Sequence, residues 1–266
     1  MLTKTKVAKS AVSSYAHGGK NFQDRICNLV PSRDIARDWT FEDAAVTGPL
    51  GATTGVPPSL DLRDSWWEIN DQSTTGSCVG WAAADGVLRY HLIRAGRLSV
   101  DQMLSPRFVW MASKETDEFD SRPQTFIEEA GTSLKNAMDV IRKYGCVLDS
   151  ELPFALSTFM YTGSENVLYA SASTRRAANY FNLRKNLTKW KSWLASRGPI
   201  LVGLQVDDTW DDAHKTGGML DQFNPTSVRG GHAVCVVGYT ADDRMIIRNS
   251  WGKGWGDDGF GYASCA

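Results

Sequence analysis

The sequence predicts an α+β protein whose first part is helical and whose second part is rich in strands. Apolar residues recur at helical spacing between residues 78 and 143, whereas short apolar runs bounded by turn residues dominate after Gly198-Pro199. A helical stretch followed by a β stretch implies segregated layers rather than alternating βαβ units. With 266 residues, 42% of them hydrophobic, the chain can bury one large or two modest cores.

Each element has a local reason. Residues 1–47 are mixed and polar, and 48–58, a Gly/Pro/Thr stretch, reads as an exposed linker. Ser77 suits a helix N-cap, which puts Cys78 at the first helical position of a helix running toward Gly96. A second helix is predicted from Thr132 to Lys143, with Leu134, Ala137, Met138 and Ile141 inward and Gly145 just past its end. A third runs from Leu187 to Ser196. Its lysines, with Arg184 and Lys185, form the wet face of an amphipathic helix rather than a nucleic-acid contact. Ile200–Val206, Ala233–Tyr239 and Met245–Arg248 read as strands.

Composition narrows the function classes. A net charge of −1 gives no global field to recruit nucleic acid or anionic lipid. No apolar run of about 18 residues is present to span a membrane. The early lysines are followed by no apolar core, so the N-terminus does not read as a secretory signal, and a cytoplasmic location is expected, export by a signal-less route being left open. Five cysteines at 27, 78, 146, 235 and 265 show no C-x-x-C spacing, so no metal site and no cofactor are expected. Cys146 and Cys235, in apolar surroundings, are expected to be buried and inert.

The chemistry-bearing residues come in four blocks: Pro-Ser-Leu-Asp-Leu-Arg at 58–63, Gln72 to Cys78, Gly230-Gly231-His232, and Asn249-Ser-Trp-Gly through Gly256. Cys78 follows Gln72 by six residues, and His232 and Asn249 lie 154 and 171 residues beyond Cys78. A thiol, an imidazole, an orienting amide and an amide donor form a set for acyl transfer through a thiolate. A helix N-terminus and an adjacent imidazolium are expected to lower the Cys78 pKa. His17, His91 and His214 have no accompanying motif.

In order and spacing these blocks resemble the papain/cathepsin family of cysteine peptidases, from about Pro57 to the C-terminus. The resemblance implies two lobes facing across a cleft, a helical left lobe and a β-barrel-like right lobe. It divides the chain into a 1–57 extension, a 58–165 lobe with Gln72 and Cys78, and a 166–266 lobe with His232 and Asn249. By the same resemblance, Cys78 is the nucleophile, His232 the acid/base, Asn249 the group orienting the ring and Gln72 an oxyanion donor. Gly76, Ser77, Gly131, Thr132, Gly231 and Trp251 would contact an extended polypeptide substrate, with Trp251 shielding the His232–Asn249 bond.

Three departures stand out. Thr75 replaces the cysteine that secreted members use for a disulfide, which fits a reducing compartment. Val79 stands where the family has Trp, and Gly231 where papain has Asp. The implied activity is endopeptidase. The rivals are an acyl transferase or amidase on the same scaffold and a non-catalytic peptide-binding homologue. The N-terminal segment is expected to act as an inhibitor, with residues around Asn28–Asp43 across or beside the cleft and Trp39 and Phe41 as aromatic anchors.

Overall fold

The computed structural model describes residues 21–48, 50, 55–118, 128–154 and 163–265. The early lysines, His17 and linker positions 49 and 51–54 lie outside the described residues.

Thr40 opens helix α1 (Phe41–Val46) through a capping box closed by Asp43. Helix α2 (Cys78–Gly80) continues without a break through a π-helical stretch, Trp81–Leu88, into α3 (Arg89–Arg94). Cys78 is therefore the first helical residue, as expected, but much of this rod is wound wider than an α-helix. Ser77 does not cap it. Its φ of −89° and ψ of 10° are not the extended cap geometry, and its hydroxyl instead lies 2.6 Å from Thr75 Oγ1.

The rod is lined with small residues because a neighbouring helix backbone approaches it on one side and a side chain of the sheet on the other. A Cβ at Gly80 would collide with Pro106 O of helix α4 (Pro106–Glu115), and one at Gly86 would lie 3.1 Å from Cys235 Cβ. Helix α5 (Leu134–Lys143) begins two residues later than expected, because Ser133 accepts from Asn136 N at 3.1 Å and so is the cap. Ala137 and Ile141 are buried, joined by Val140, with Leu134 and Met138 half-buried. Helix α6 (Glu165–Ser173) was not anticipated, and neither were α1 and α4. Helix α7 (Leu187–Ser196) matches its expected bounds, with Asn186 accepting from Lys189 N at 3.0 Å.

The strands are β1 (Leu60–Asp61), β2 (Ile200–Val206), β3 (Met219–Leu220), β4 (Gly230–Tyr239), β5 (Arg244–Arg248) and β6 (Phe260–Ser264). They form one sheet in the order β1-β4-β5-β6-β3, with β2 also paired to β4 and no closure into a barrel among the described residues. Strand β4 starts three residues before its predicted start, because Gly230 to His232 already pair with Val206 to Leu204. That register places His232 inside the sheet rather than on a loop.

Two cores result. One gathers Val79, Leu88, Phe108, Val109, Val140, Ile141, Leu168 and Ala172 around the helical rod. The other gathers Val202, Trp210, Val234, Val236, Ile247, Trp251 and Trp255 on the sheet. The boundaries expected at 57/58 and 165/166 do not follow this packing. Strand β1 pairs with β4 in the β lobe, and α6 packs through Leu168 and Ala172 onto the helical core. Burial of apolar side chains, rather than chain order, decides each segment's side.

Candidate active site

Two buried cores meet where α2 faces β4. The Ala233 N–H lies against the Cys78 sulfur, which sets the thiol one residue from His232 along β4. Both side chains are fully buried. His232 Nε2 lies 2.8 Å from Asn249 Oδ1, which also accepts from Ser250 N at 2.8 Å. An accepting Oδ1 puts the ring proton on Nε2 and leaves a lone pair on Nδ1. Nδ1 is buried and has no hydrogen-bond partner among the described residues. Trp251 covers the ring at a centroid distance of 5.0 Å, and Trp210 meets it edge-on at 5.9 Å. These two indoles keep water from the His232–Asn249 bond.

Asn249 is held from behind. Its N–H donates to Gly259 O at 3.1 Å, and the preceding residue, Arg248, reaches Asp85 Oδ2 at 2.7 Å and Glu68 O at 2.6 Å. Asp85 lies two turns along the rod from Cys78 and also receives Arg89 Nη1 at 2.9 Å. One buried carboxylate thus ties the helix bearing Cys78 to the end of the strand that leads into Asn249. Neither Asp85 nor Arg248 belongs to a motif, so spacing alone could not single them out.

Gln72 is fixed at both ends of its amide. Nε2 donates to Thr75 O at 3.0 Å, Oε1 accepts from Ser250 Oγ at 2.8 Å, and the backbone N–H donates to Ser250 O at 2.8 Å. The second Nε2 proton is left for another acceptor. Thr75 and Ser250 sit inside the motif blocks, but their spacing alone does not mark them as the groups that hold the Gln72 amide.

The space between the lobes is filled by the chain's own residues 22–30. Leu29 N donates to Gly231 O at 2.9 Å on one wall, and Val30 N donates to Thr132 O at 3.1 Å on the other. Asn28 Nδ2 donates to Glu129 O, and the Asn28 backbone lies where a Cβ at Gly131 would stand. Phe22 stacks on Trp251 at 6.2 Å and 13°. Arg229 Nη2 gathers three carbonyls of this segment, those of Phe22, Gln23 and Arg25, at 3.2, 2.7 and 2.8 Å. Of the residues expected to contact substrate, Gly76, Gly131, Thr132, Gly231 and Trp251 all touch this segment, whereas Ser77 faces Thr75.

The aromatic anchors expected in the cleft lie elsewhere. Trp39 packs on Phe181 at 5.9 Å, and Phe41 joins the β-lobe core beside Lys189. Residues 32–42 run outside the cleft, tied by Ser32 to Lys135 N, by Asp38 to the Lys135 ammonium and by Glu42 to Lys189. Phe22 and Leu29 take the inner positions instead, Phe22 against Trp251 and Leu29 beside Gly203 and Gly231.

Covering the site changes its electrostatics. Burial pushes the Cys78 thiol up to about 12, against which the Ala233, Val79 and Cys78 N–H groups act only in part. Burial pulls the His232 imidazole down to about 4; the Asn249 bond opposes this, and the Arg229 and Arg25 charges add to it. The expected lowering of the Cys78 pKa is therefore not what the covered site provides. Burial thus favours the neutral form of both groups. Among the described residues no cluster of His, Cys, Asp and Glu could hold a metal.

A family model described as papain family cysteine protease matches residues 56–264. Macrodontain-1 of Ananas macrodontes is 26% identical over 221 residues, covering 77% of this chain and 87% of that protein. Cathepsin B-like CP2 of Giardia intestinalis is 27% identical over 229 residues, covering 82% of this chain and 72% of its own. Xylellain, a cysteine protease from Xylella fastidiosa, has the same fold at a TM-score of 0.74 and 21% identity, over 91% of this chain and 90% of that one. With its fold matched and most of its length covered by the family model, the chain belongs to the papain family of cysteine proteases, and it is a cysteine peptidase.

Proposed function

We propose that the protein is an endopeptidase that cuts extended polypeptide through a Cys78 acyl-enzyme and that its own residues 22–30 restrain it. The observation that carries this reading is the pairing of Leu29 with Gly231 O and of Val30 with Thr132 O. A cleft that takes an extended strand by its backbone N–H groups on both walls is shaped for polypeptide.

With that segment displaced, water reaches the thiol and the ring, and the desolvation that keeps both neutral is lost. His232 Nδ1 takes the Cys78 proton, and the thiolate attacks the peptide carbonyl. Gln72 Nε2–H and the Cys78 N–H receive the developing oxyanion, and the imidazolium then protonates the leaving amine. Asn249 keeps the ring turned so that Nδ1 faces the sulfur throughout. Water then releases the new carboxyl end, with His232 as the base.

The Leu29 side chain indicates what one subsite accepts. Its Cδ2 enters the room left by Gly203, beside Leu134, and its Cβ lies 3.2 Å from where a Gly231 side chain would begin. This is an apolar, medium-sized pocket, so a branched aliphatic residue suits it.

The test is hydrolysis of a peptide with leucine in that pocket, by the full chain and by Cys78→Ala. Cleavage by the first alone, with a peptide epoxide labelling Cys78 stoichiometrically, supports the reading. Cleavage by Cys78→Ala would overturn it. An added amine that captures most of the acyl group would instead mark a transferase.

A further inference from the structure

Beside the oxyanion donor lies an acidic group that the catalytic steps above do not use. Asp71 precedes Gln72 and bridges Trp251 through its backbone. Its carboxylate is occupied by the Arg25 guanidinium in a two-pronged pair, Nη1 to Oδ1 and Nη2 to Oδ2, the latter at 2.8 Å. Both side chains are largely buried, at 5% and 11% exposure, which separates this pair from an ordinary surface ion pair.

The carboxylate is set in place independently of Arg25. Asp71 Oδ1 accepts from Ser73 N at 2.7 Å, and Gly252 leaves room for Oδ2, since a Cβ there would stand 3.1 Å away. The neighbouring cations are engaged elsewhere: Lys253 with Glu68 at 3.4 Å, and Arg229 with Asp211 and the segment's carbonyls. Removal of Arg25 would leave Asp71 with one hydrogen bond, buried walls and no counter-charge, which is costly unless another cation enters.

Arg25 and Leu29 occupy opposite ends of the crossing. Leu29 lies by Gly203 and Gly231, Arg25 by Asp71 and Trp251, and Cys27 between them stands against Gly230. We infer that Asp71 is a specificity-determining residue, forming a subsite for an arginine or lysine side chain of the substrate across the scissile bond from the Leu29 pocket. Arg25 fills this subsite in the restrained chain as a substrate's basic residue would during turnover. The inference rests on the peptidase reading and on residues 22–30 leaving the cleft.

The experiment uses full-length Arg25→Ala, which frees the subsite, and full-length Arg25→Ala/Asp71→Asn, which keeps an acceptor for Ser73 N. Internally quenched peptides carry leucine for the Leu29 pocket and either arginine or citrulline at each position across the scissile bond. Arg25→Ala should prefer arginine over citrulline at one position by about tenfold in kcat/KM, and the double variant by less than about twofold. Added salt should narrow the first ratio. Equal use of arginine and citrulline at every position by Arg25→Ala would overturn the subsite while leaving the peptidase reading intact. Hydrolysis of no peptide would overturn the peptidase reading instead. The subsite is then decided by whether arginine peptides protect Cys78 from iodoacetamide better than citrulline peptides do. Arg25→Gln, which removes the charge but keeps a polar side chain, stands in should Arg25→Ala not fold.

Discussion

Leu29 donates its backbone N–H to Gly231 O at 2.9 Å, one residue from His232, so a segment near the N-terminus lies beside the strand that carries this imidazole. Its side chain fills the room beside Gly203 and Leu134. Leu29→Asp in the full chain should therefore loosen the covering segment, because an unpaired carboxylate in that apolar pocket is unfavourable. The expected outcome is at least about a tenfold rise in the rate at which short peptides are cut and Cys78 is alkylated, the equivalent of about 1.4 kcal/mol. Rates equal to those of the unaltered chain would mean that the segment does not limit access.

The covering segment should be most firmly seated between about pH 6.5 and 9. The sign follows from the two groups it buries. His232, pulled down to about 4 from an ordinary 6.5, resists a proton that the uncovered ring accepts, so covering weakens as the pH falls below 6.5. Cys78, pushed up to about 12 from an ordinary 9.0, keeps a proton that an uncovered thiol loses, so covering also weakens as the pH rises above 9. Iodoacetamide labelling of Cys78 in the full chain, divided by that of Leu29→Asp at each pH, should pass through a minimum in this window. A ratio that does not change with pH would contradict the argument.

Gln72→Ala should lower kcat by roughly 100- to 1,000-fold with a smaller change in KM, because its free Nε2 proton acts on the oxyanion of the transition state. Ser250→Ala should have a weaker effect of the same kind, since Ser250 Oγ donates to Gln72 Oε1 at 2.8 Å and fixes the amide. A Gln72→Ala enzyme with unchanged kcat would place the oxyanion elsewhere.

His232→Ala should lose more activity than Asn249→Ala, because the first removes the proton carrier and the second only frees the ring to turn. Asn249→Ala also unpairs Ser250 N, so its loss should include a fall in thermal stability. Single-turnover rates with both variants, compared with thermal unfolding midpoints, separate the two effects.

Asp85→Asn should destabilise the protein by about 3 kcal/mol, because Arg248 and Arg89 would then be buried without a counter-charge. Urea unfolding gives the magnitude. A midpoint unchanged from that of the unaltered chain would show that neither arginine needs the carboxylate.

Much of the site was legible because its local requirements are written locally. A nucleophile at a helix start needs small neighbours, and Thr75-Gly76-Ser77-Cys78 supplies them. A strand that carries His232 past an approaching backbone needs Gly230-Gly231, and Asn249 follows a run of strand-forming residues. The α7 bounds and the burial of Cys146 and Cys235 were legible for the same reason. Ser105 as a cap ahead of Pro106 is a local signal for the start of α4.

The rest was decided by contacts between distant residues. No local pattern joins Asp85 to Arg248, Arg25 to Asp71, or Leu29 to Gly231, since each contact appears only when the lobes close on each other. The same holds for the protonation of the site. The sequence by itself determined the expected set of a thiol, an imidazole and two amides, and the order in which the chain carries them. Only the tertiary structure decided that residues 22–30 would lie between the two walls and that the thiol and imidazole would be buried, because desolvation depends on what packs over a side chain in space, not on which residues adjoin it in sequence.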